Sequence, residues 1–162
     1  MQRRRSIFMQ RTASALWHRG LKDGEGIISV PSGVLFETPY SFVTRFENSP
    51  GTSPEELIAA ALAASFTMGL SAQLVTLKFT PDCVKTTATA TLESLNGAWT
   101  ISTIHIETVA RVPRMTASGF EAAAILAKKC CPVACLLKAE ITMDARLEDA
   151  SEPRPQGSGH YS

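Results

Sequence analysis

The chain has 162 residues, 44% of them hydrophobic, which suits one domain with a genuine core and makes two domains a stretch. Sixteen basic against fifteen acidic residues leave a formal net charge of +1, so composition makes no case for a nucleic-acid binder or a polybasic membrane protein. Four cysteines, Cys83, Cys130, Cys131 and Cys135, are not spread as a secreted disulfide framework would be. With no signal peptide read at the start, they point to a reducing, cytoplasmic compartment.

In chain order, residues 1–12 carry Arg3-Arg4-Arg5 and Arg11 and read as a basic tail. Residues 13–148 read as a single domain. Its first part is short strands and tight turns. Leu16-Trp17 is followed by the turn Lys22-Asp23-Gly24-Glu25-Gly26, then Ile27–Val30, then a Pro31-Ser32-Gly33 reversal into Val34–Phe36. Pro39-Tyr40-Ser41-Phe42 leads on to Thr44-Arg45-Phe46-Glu47. The clearest start signal comes next. Ser53 fits an N-cap, Pro54 the first helical position and Glu56 the closing arm of a capping box, while Glu55 meets the positive helix end. The helix should run to about Leu74. Leu57–Leu77 has no charge and is long enough to span a bilayer, yet it is mostly Ala, Ser and Thr. It reads as the buried centre of a soluble protein.

Lys85–Leu92 is Thr-rich and β-prone, Asn96-Gly97 signals a hairpin, and Trp99–Val109 alternates as the partner strand. Pro113 ends that strand. Thr116–Gly119 leads into a helix over Phe120–Lys129, and Pro132 opens a short third helix, Val133–Lys138. In a last strand, Ile141, Met143, Ala145 and Leu147 face one way while Thr142, Asp144, Arg146 and Glu148 face the other. Residues 149–162 have little to bury and read as a disordered tail. The order is α+β, without a βαβ repeat or internal duplication.

Arg45, Glu55 and Glu56 are the charged candidates, since an Arg beside a carboxylate can clamp an anion or polarise an oxygen; a surface pair with helix capping is the plainer reading. Glu55 and Ser65 lie ten residues apart on one helix, about 15 Å along its axis. A shared site would need two antiparallel copies of that helix, hence a homodimer. Cys131, just before Pro132, falls at a helix N-cap, where free backbone N–H groups favour a thiolate. Cys130 and Cys135 are its neighbours, and buried structural thiols are the alternative. Three cysteines at this spacing are a poor metal site. His18, His105 and His160 are poor catalysts by position, and Cys83 has no evident role. Ser65 has no G-x-S-x-G around it and no base placed by sequence, so alone it reads as core filler.

Several segments together resemble a known family. Gly20–Gly26, Pro39–Phe42, Thr44–Glu47, Gly51–Ala61, Cys131-Pro132-Val133 and Leu137–Asp144 are similar to the OsmC/Ohr family, the osmotically inducible and organic hydroperoxide resistance proteins, and closest to the OsmC branch. The likeness covers about residues 13–147. It implies a long central helix packed with antiparallel sheets in an intertwined homodimer with interface active sites, and neither metal nor cofactor. It further implies reduction of organic hydroperoxides or hydrogen peroxide in the oxidative stress response. A peroxidatic cysteine on the central helix becomes a sulfenic acid, and a second cysteine in the Cys-Pro-Val segment resolves it as a disulfide. An Arg–Glu pair stabilises the thiolate, and small dithiols or lipoyl-bearing proteins regenerate the enzyme. By position Cys131 matches the resolving cysteine, Arg45 the arginine and Glu55 the glutamate.

The departures are specific. The family's central helix usually reads Ala-Ala-His-Ala-Ala-Cys-Phe, where this chain has Ala60-Ala61-Leu62-Ala63-Ala64-Ser65-Phe66. Ser65 thus stands at the peroxidatic position and Leu62 at the histidine. A serine stays protonated at neutral pH and has no sulfenic acid or disulfide step, so peroxidase activity should be lost or greatly reduced. Three readings stay open: a deliberate Cys-to-Ser change in an active enzyme; a natural member that keeps the fold as a module binding an apolar ligand or a partner; and redox chemistry moved to Cys131, with Cys135 or Cys130 as partner.

Overall fold

The computed structural model describes residues 9–47 and 49–148. The C-terminal tail and all but the last four residues of the N-terminal one lie outside the described residues, as does His160. The chain divides into two compact units that meet between Leu57 and Ile58, and each is taken by itself.

In the first unit β1 (Ser14–His18), β2 (Glu25–Ser29) and β3 (Thr38–Ser41) form an antiparallel sheet in that order. Gly26 lies where any side chain would collide: a Cβ there would come within 2.6 Å of the Leu16 carbonyl oxygen and of the Tyr40 ring. The bare backbone lets the Trp17 and Tyr40 rings approach to 5.2 Å between centroids. The expected strand at Val34–Phe36 does not form. Those residues lie in a bend between left-handed Gly33 (φ 78) and Glu37 (φ 47), with Val34 and Phe36 exposed. Strand-prone residues without a sheet to pack on do not hold a strand. Pairing starts instead at Thr38, with Pro39 opposite Ile27 on an edge strand that tolerates a missing N–H. Thr44–Phe46 belongs to a short helix, α1 (Phe42–Phe46), fixed by a reciprocal cap. The Thr44 N–H donates to the Ser41 hydroxyl (3.2 Å) and the Ser41 N–H to the Thr44 hydroxyl (2.9 Å).

The long helix α2 (Pro54–Thr76) begins where the capping signal placed it. The Glu56 N–H donates to the Ser53 hydroxyl at 3.2 Å. The Glu56 carboxylate accepts from the Thr52 hydroxyl at 3.1 Å, so the expected return arm of the box goes to the residue before the cap. From Ile58 onward the helix is part of the second unit. Leu62, Phe66, Leu70 and Leu74, four residues apart, form one fully buried ridge. The reading of this helix as a buried centre holds for that ridge; on its other side Ala60, Ala61, Ala64, Met68, Ala72 and Val75 are exposed. Near-uniform apolarity hid this two-sidedness, because Ala marks neither face.

The second sheet runs β4 (Cys83–Leu95), β5 (Ala98–Arg111), β6 (Glu140–Leu147). Asn96 (φ 54) and Gly97 (φ 82) turn the β4–β5 hairpin in two residues, both left-handed, as the Asn-Gly signal requires. β6 alternates as expected, but it pairs with β5 in parallel. Helices α3 (Ala117–Cys130) and α4 (Pro132–Leu136) make the crossover. The expected antiparallel pairing holds in both sheets except at β5–β6, where two helices between parallel strands return the chain to the same sheet. Phe120, Ala123, Ala124 and Ala127 of α3 are buried, and with Ile104, Ile106 and Ala110 of β5 they join the ridge of α2 in one core.

Candidate active site

The candidate residues come together as two pairs, one in each unit. In the first, α1 and the opening turn of α2 bring Arg45 to Glu55. The Arg45 Nε–H donates to both carboxylate oxygens (3.1 and 3.3 Å) and an Nη2–H donates to Oε1 at 2.7 Å. Glu55 is only 7% exposed, so the surface-pair reading gives way to a fork that holds a buried carboxylate. The guanidinium also lies over the Phe46 ring, 5.0 Å from its centroid. Phe46 is a contributor that residue patterns did not single out. It adjoins Arg45, and nothing in its type marks it.

The second pair is Ser65 and Cys131. Cys131 is the extended residue between α3 and α4, C-cap of one and N-cap of the other, with Pro132 opening the next turn. The N-cap position is as expected, but the thiol makes no capping hydrogen bond. It is 2% exposed and its S–H donates to the Ser65 hydroxyl, Sγ to Oγ 3.3 Å. A residue ending in one sulfur is too short to reach both the helix amides and the core, and the core contact wins. Ser65, partly buried, sits one position before Phe66 of the buried ridge. Leu62 belongs to that ridge and packs as an ordinary core residue.

The other thiols point elsewhere. Cys83 at the start of β4, Cys130 and Cys135 are all exposed, and all four cysteines are unbridged. The Cys135 S–H donates to the Lys129 carbonyl (3.3 Å), away from the interior that holds Cys131. His105 is more engaged than a freely solvated ring, with Nδ1 2.7 Å from the Thr142 hydroxyl and Nε2 3.4 Å from Asp144. It joins neither pair. Among the described residues no group of three or more His, Cys, Asp and Glu side chains could hold a metal.

Chemically, the Ser65–Cys131 contact places the one thiol buried among the described residues against a hydroxyl. The family model described as OsmC-like protein matches residues 46–146. Over 140 residues the chain is 43% identical to Peroxiredoxin OsmC of Escherichia coli strain K12, covering 86% of this chain and 98% of that protein. Among solved structures, the organic hydroperoxide resistance protein OhrB of Bacillus subtilis superposes with TM-score 0.63 at 19% identity, over 86% of this chain and 98% of that one. An OsmC-like protein of Mycoplasma pneumoniae superposes with TM-score 0.67 at 14% identity, over 87% and 99%. Such low identities speak for the fold.

Proposed function

The chain belongs to the OsmC-like family, within the OsmC/Ohr peroxiredoxins, and from that premise we propose that Ser65 and Cys131 are the remains of a peroxide-reducing dithiol centre that no longer turns over. The observation that carries this is the 3.3 Å contact between Cys131 Sγ and Ser65 Oγ. A sulfur at position 65 would face Cys131 closely enough for a side-chain rotation to close a disulfide. An oxygen there ends the cycle before it starts: the serine hydroxyl is not ionised at neutral pH and lacks the sulfenic acid that Cys131 would resolve. Cys131 takes the resolving position, and Arg45, held by Glu55, takes that of the group that stabilises the attacking thiolate.

Ser65 is not an isolated change. Leu62, the second departure from the family's helix, is fully buried, which fits a member that diverged at several positions better than one residue changed by design. On this reading the fold persists without peroxidase turnover, and the chain works in the cytoplasm as a soluble homodimer. The exposed small-residue face of α2 supports the homodimer, because it suits close packing against an antiparallel copy. Such packing would bring Glu55 of one helix toward Ser65 of the other, a span of about 15 Å that one helix cannot close by itself. Any oxidised form would be reduced by a small dithiol or a lipoyl-bearing protein.

The test compares this protein with its Ser65→Cys variant in consumption of cumene hydroperoxide with dihydrolipoamide. The variant should gain at least roughly a hundredfold in rate, about 2.7 kcal/mol of barrier, and form a bond between positions 65 and 131 that disappears on Cys131→Ser. A variant as inactive as the parent would sink the reading, and so would a fully active parent.

A further inference from the structure

The corner between α3 and α4 carries three cysteines, and only Cys131 faces Ser65. Cys130 and Cys135 are both exposed and both reduced. One hydrogen bond fixes how near they are: the Cys135 thiol donates to the carbonyl oxygen of Lys129, Sγ to O 3.3 Å. Across a trans peptide that oxygen lies about 2.8 Å from the next Cα. Cys135 Sγ is therefore no more than roughly 6 Å from the Cα of Cys130, by the same peptide geometry. In an unbroken helix, residues five apart point to different sides and are separated by about 7.5 Å of rise. The extended backbone at Cys131 (φ −68, ψ 119) breaks the helix there and brings Cys135 back to the end of α3. Both side chains are exposed, which leaves them free to rotate toward each other across that distance. Cys131 is turned inward and is excluded from that exchange, and a bridge between neighbours Cys130 and Cys131 would need a strained eight-membered ring.

We propose that Cys130 and Cys135 form a second redox site, a solvent-facing dithiol that an organic hydroperoxide converts to an intramolecular disulfide. The hydrogen of Cys135 is engaged by the Lys129 carbonyl, which leaves Cys130 as the first nucleophile. Its sulfur attacks the peroxide, the O–O bond breaks, the alcohol leaves with the thiol proton, and Cys130 becomes a sulfenic acid. Cys135 then attacks that sulfur; the S–S bond forms, the S–O bond breaks and water leaves. Two thiols and one hydroperoxide give one disulfide, one alcohol and one water. The bond would also tie down the corner that directs Cys131 at Ser65. The site shares no residue with the Ser65–Cys131 pair, and carrying Cys130→Ser in both parent and Ser65→Cys variant keeps hydroperoxide consumed here from being counted there.

The experiment treats the full-length protein with one equivalent of cumene hydroperoxide, alkylates it with N-ethylmaleimide under denaturing conditions, and digests it with trypsin. Cleavage after Lys129 and Lys138 places all three thiols on one peptide. The expected product is that peptide lighter by two hydrogens, with a single alkyl group on Cys131. Cys130→Ser and Cys135→Ser, both exposed sites, should each abolish it, while Cys131→Ser retains it. A bond that includes Cys131, a disulfide between chains, or a peptide alkylated on all three cysteines would overturn the proposal.

Discussion

Ser65 differs from the two threonines of its helix in what it touches. Thr67 and Thr76 donate to carbonyls one turn back, Ala63 (2.7 Å) and Ala72 (3.0 Å), the usual resting place of a helical hydroxyl. The Ser65 oxygen accepts from Cys131 instead. No property of the serine foretold this, because its partner lies 66 positions away in sequence. Position within a family pattern pointed to the pair; the fold supplied the contact. Glu55 shows the converse. Its helix-end placement was legible from Ser53-Pro54-Glu55-Glu56, whereas its burial depended on α1 delivering Arg45. Because Glu55 is buried and its partner's side chain is 35% exposed, Glu55→Ala should cost about 1–3 kcal/mol in urea unfolding, below the range for fully buried pairs. Glu55→Gln, which keeps an acceptor, should cost less than half as much. Equal losses in the two variants would mean that the fork contributes nothing specific.

Among the elements, α2 was the most readable at its ends and the least readable around its circumference. Ser53, Pro54 and Glu56 announce the start through local hydrogen bonding, which needs no tertiary partner. The buried ridge is marked only by the larger side chains Leu62, Phe66, Leu70 and Leu74, since the Ala positions between them carry no facial preference. Phe66→Ala should therefore be severe, about 3–5 kcal/mol in denaturant unfolding. A cost under about 1 kcal/mol would show that the ridge is not the core its burial makes it. The β4–β5 hairpin was legible at its turn, because a two-residue Asn-Gly loop fixes the adjoining register by backbone conformation; the register shift between Thr91 and Leu92 and the full lengths of the two strands were not. The direction of β6 was not, because the alternation of Ile141, Met143, Ala145 and Leu147 is the same whether the strand runs with β5 or against it. The Val34–Phe36 segment failed for a related reason: strand propensity is realised only on a sheet, and there the sheet is made by Thr38–Ser41.

For the molecule as a whole, α2 passes by length and composition for a membrane span, yet its fully buried ridge belongs to a packed protein core. The opposite face is small and apolar, with Met68 75% exposed, and a second copy of the chain is the occupant proposed for it. Met68→Glu would place a charge at that contact. Sedimentation should then show the parent as a dimer and the variant as a folded monomer of unchanged circular dichroism. A monomeric parent would remove the shared-site proposal while leaving the family and the Ser65–Cys131 contact intact. From its order of residues alone this chain determined its α+β class, the capped start of α2, its hairpin turn and its membership of a peroxide-reducing family with the expected sulfur missing at position 65. Those features rest on short-range rules: caps, turn conformations and strings of adjacent residues. Only the tertiary structure decided that Cys131 turns from the helix end into the core to meet Ser65, that Cys130 and Cys135 are left facing solvent, and that β6 runs parallel to β5. Such choices are made by competition for burial between segments far apart in the chain.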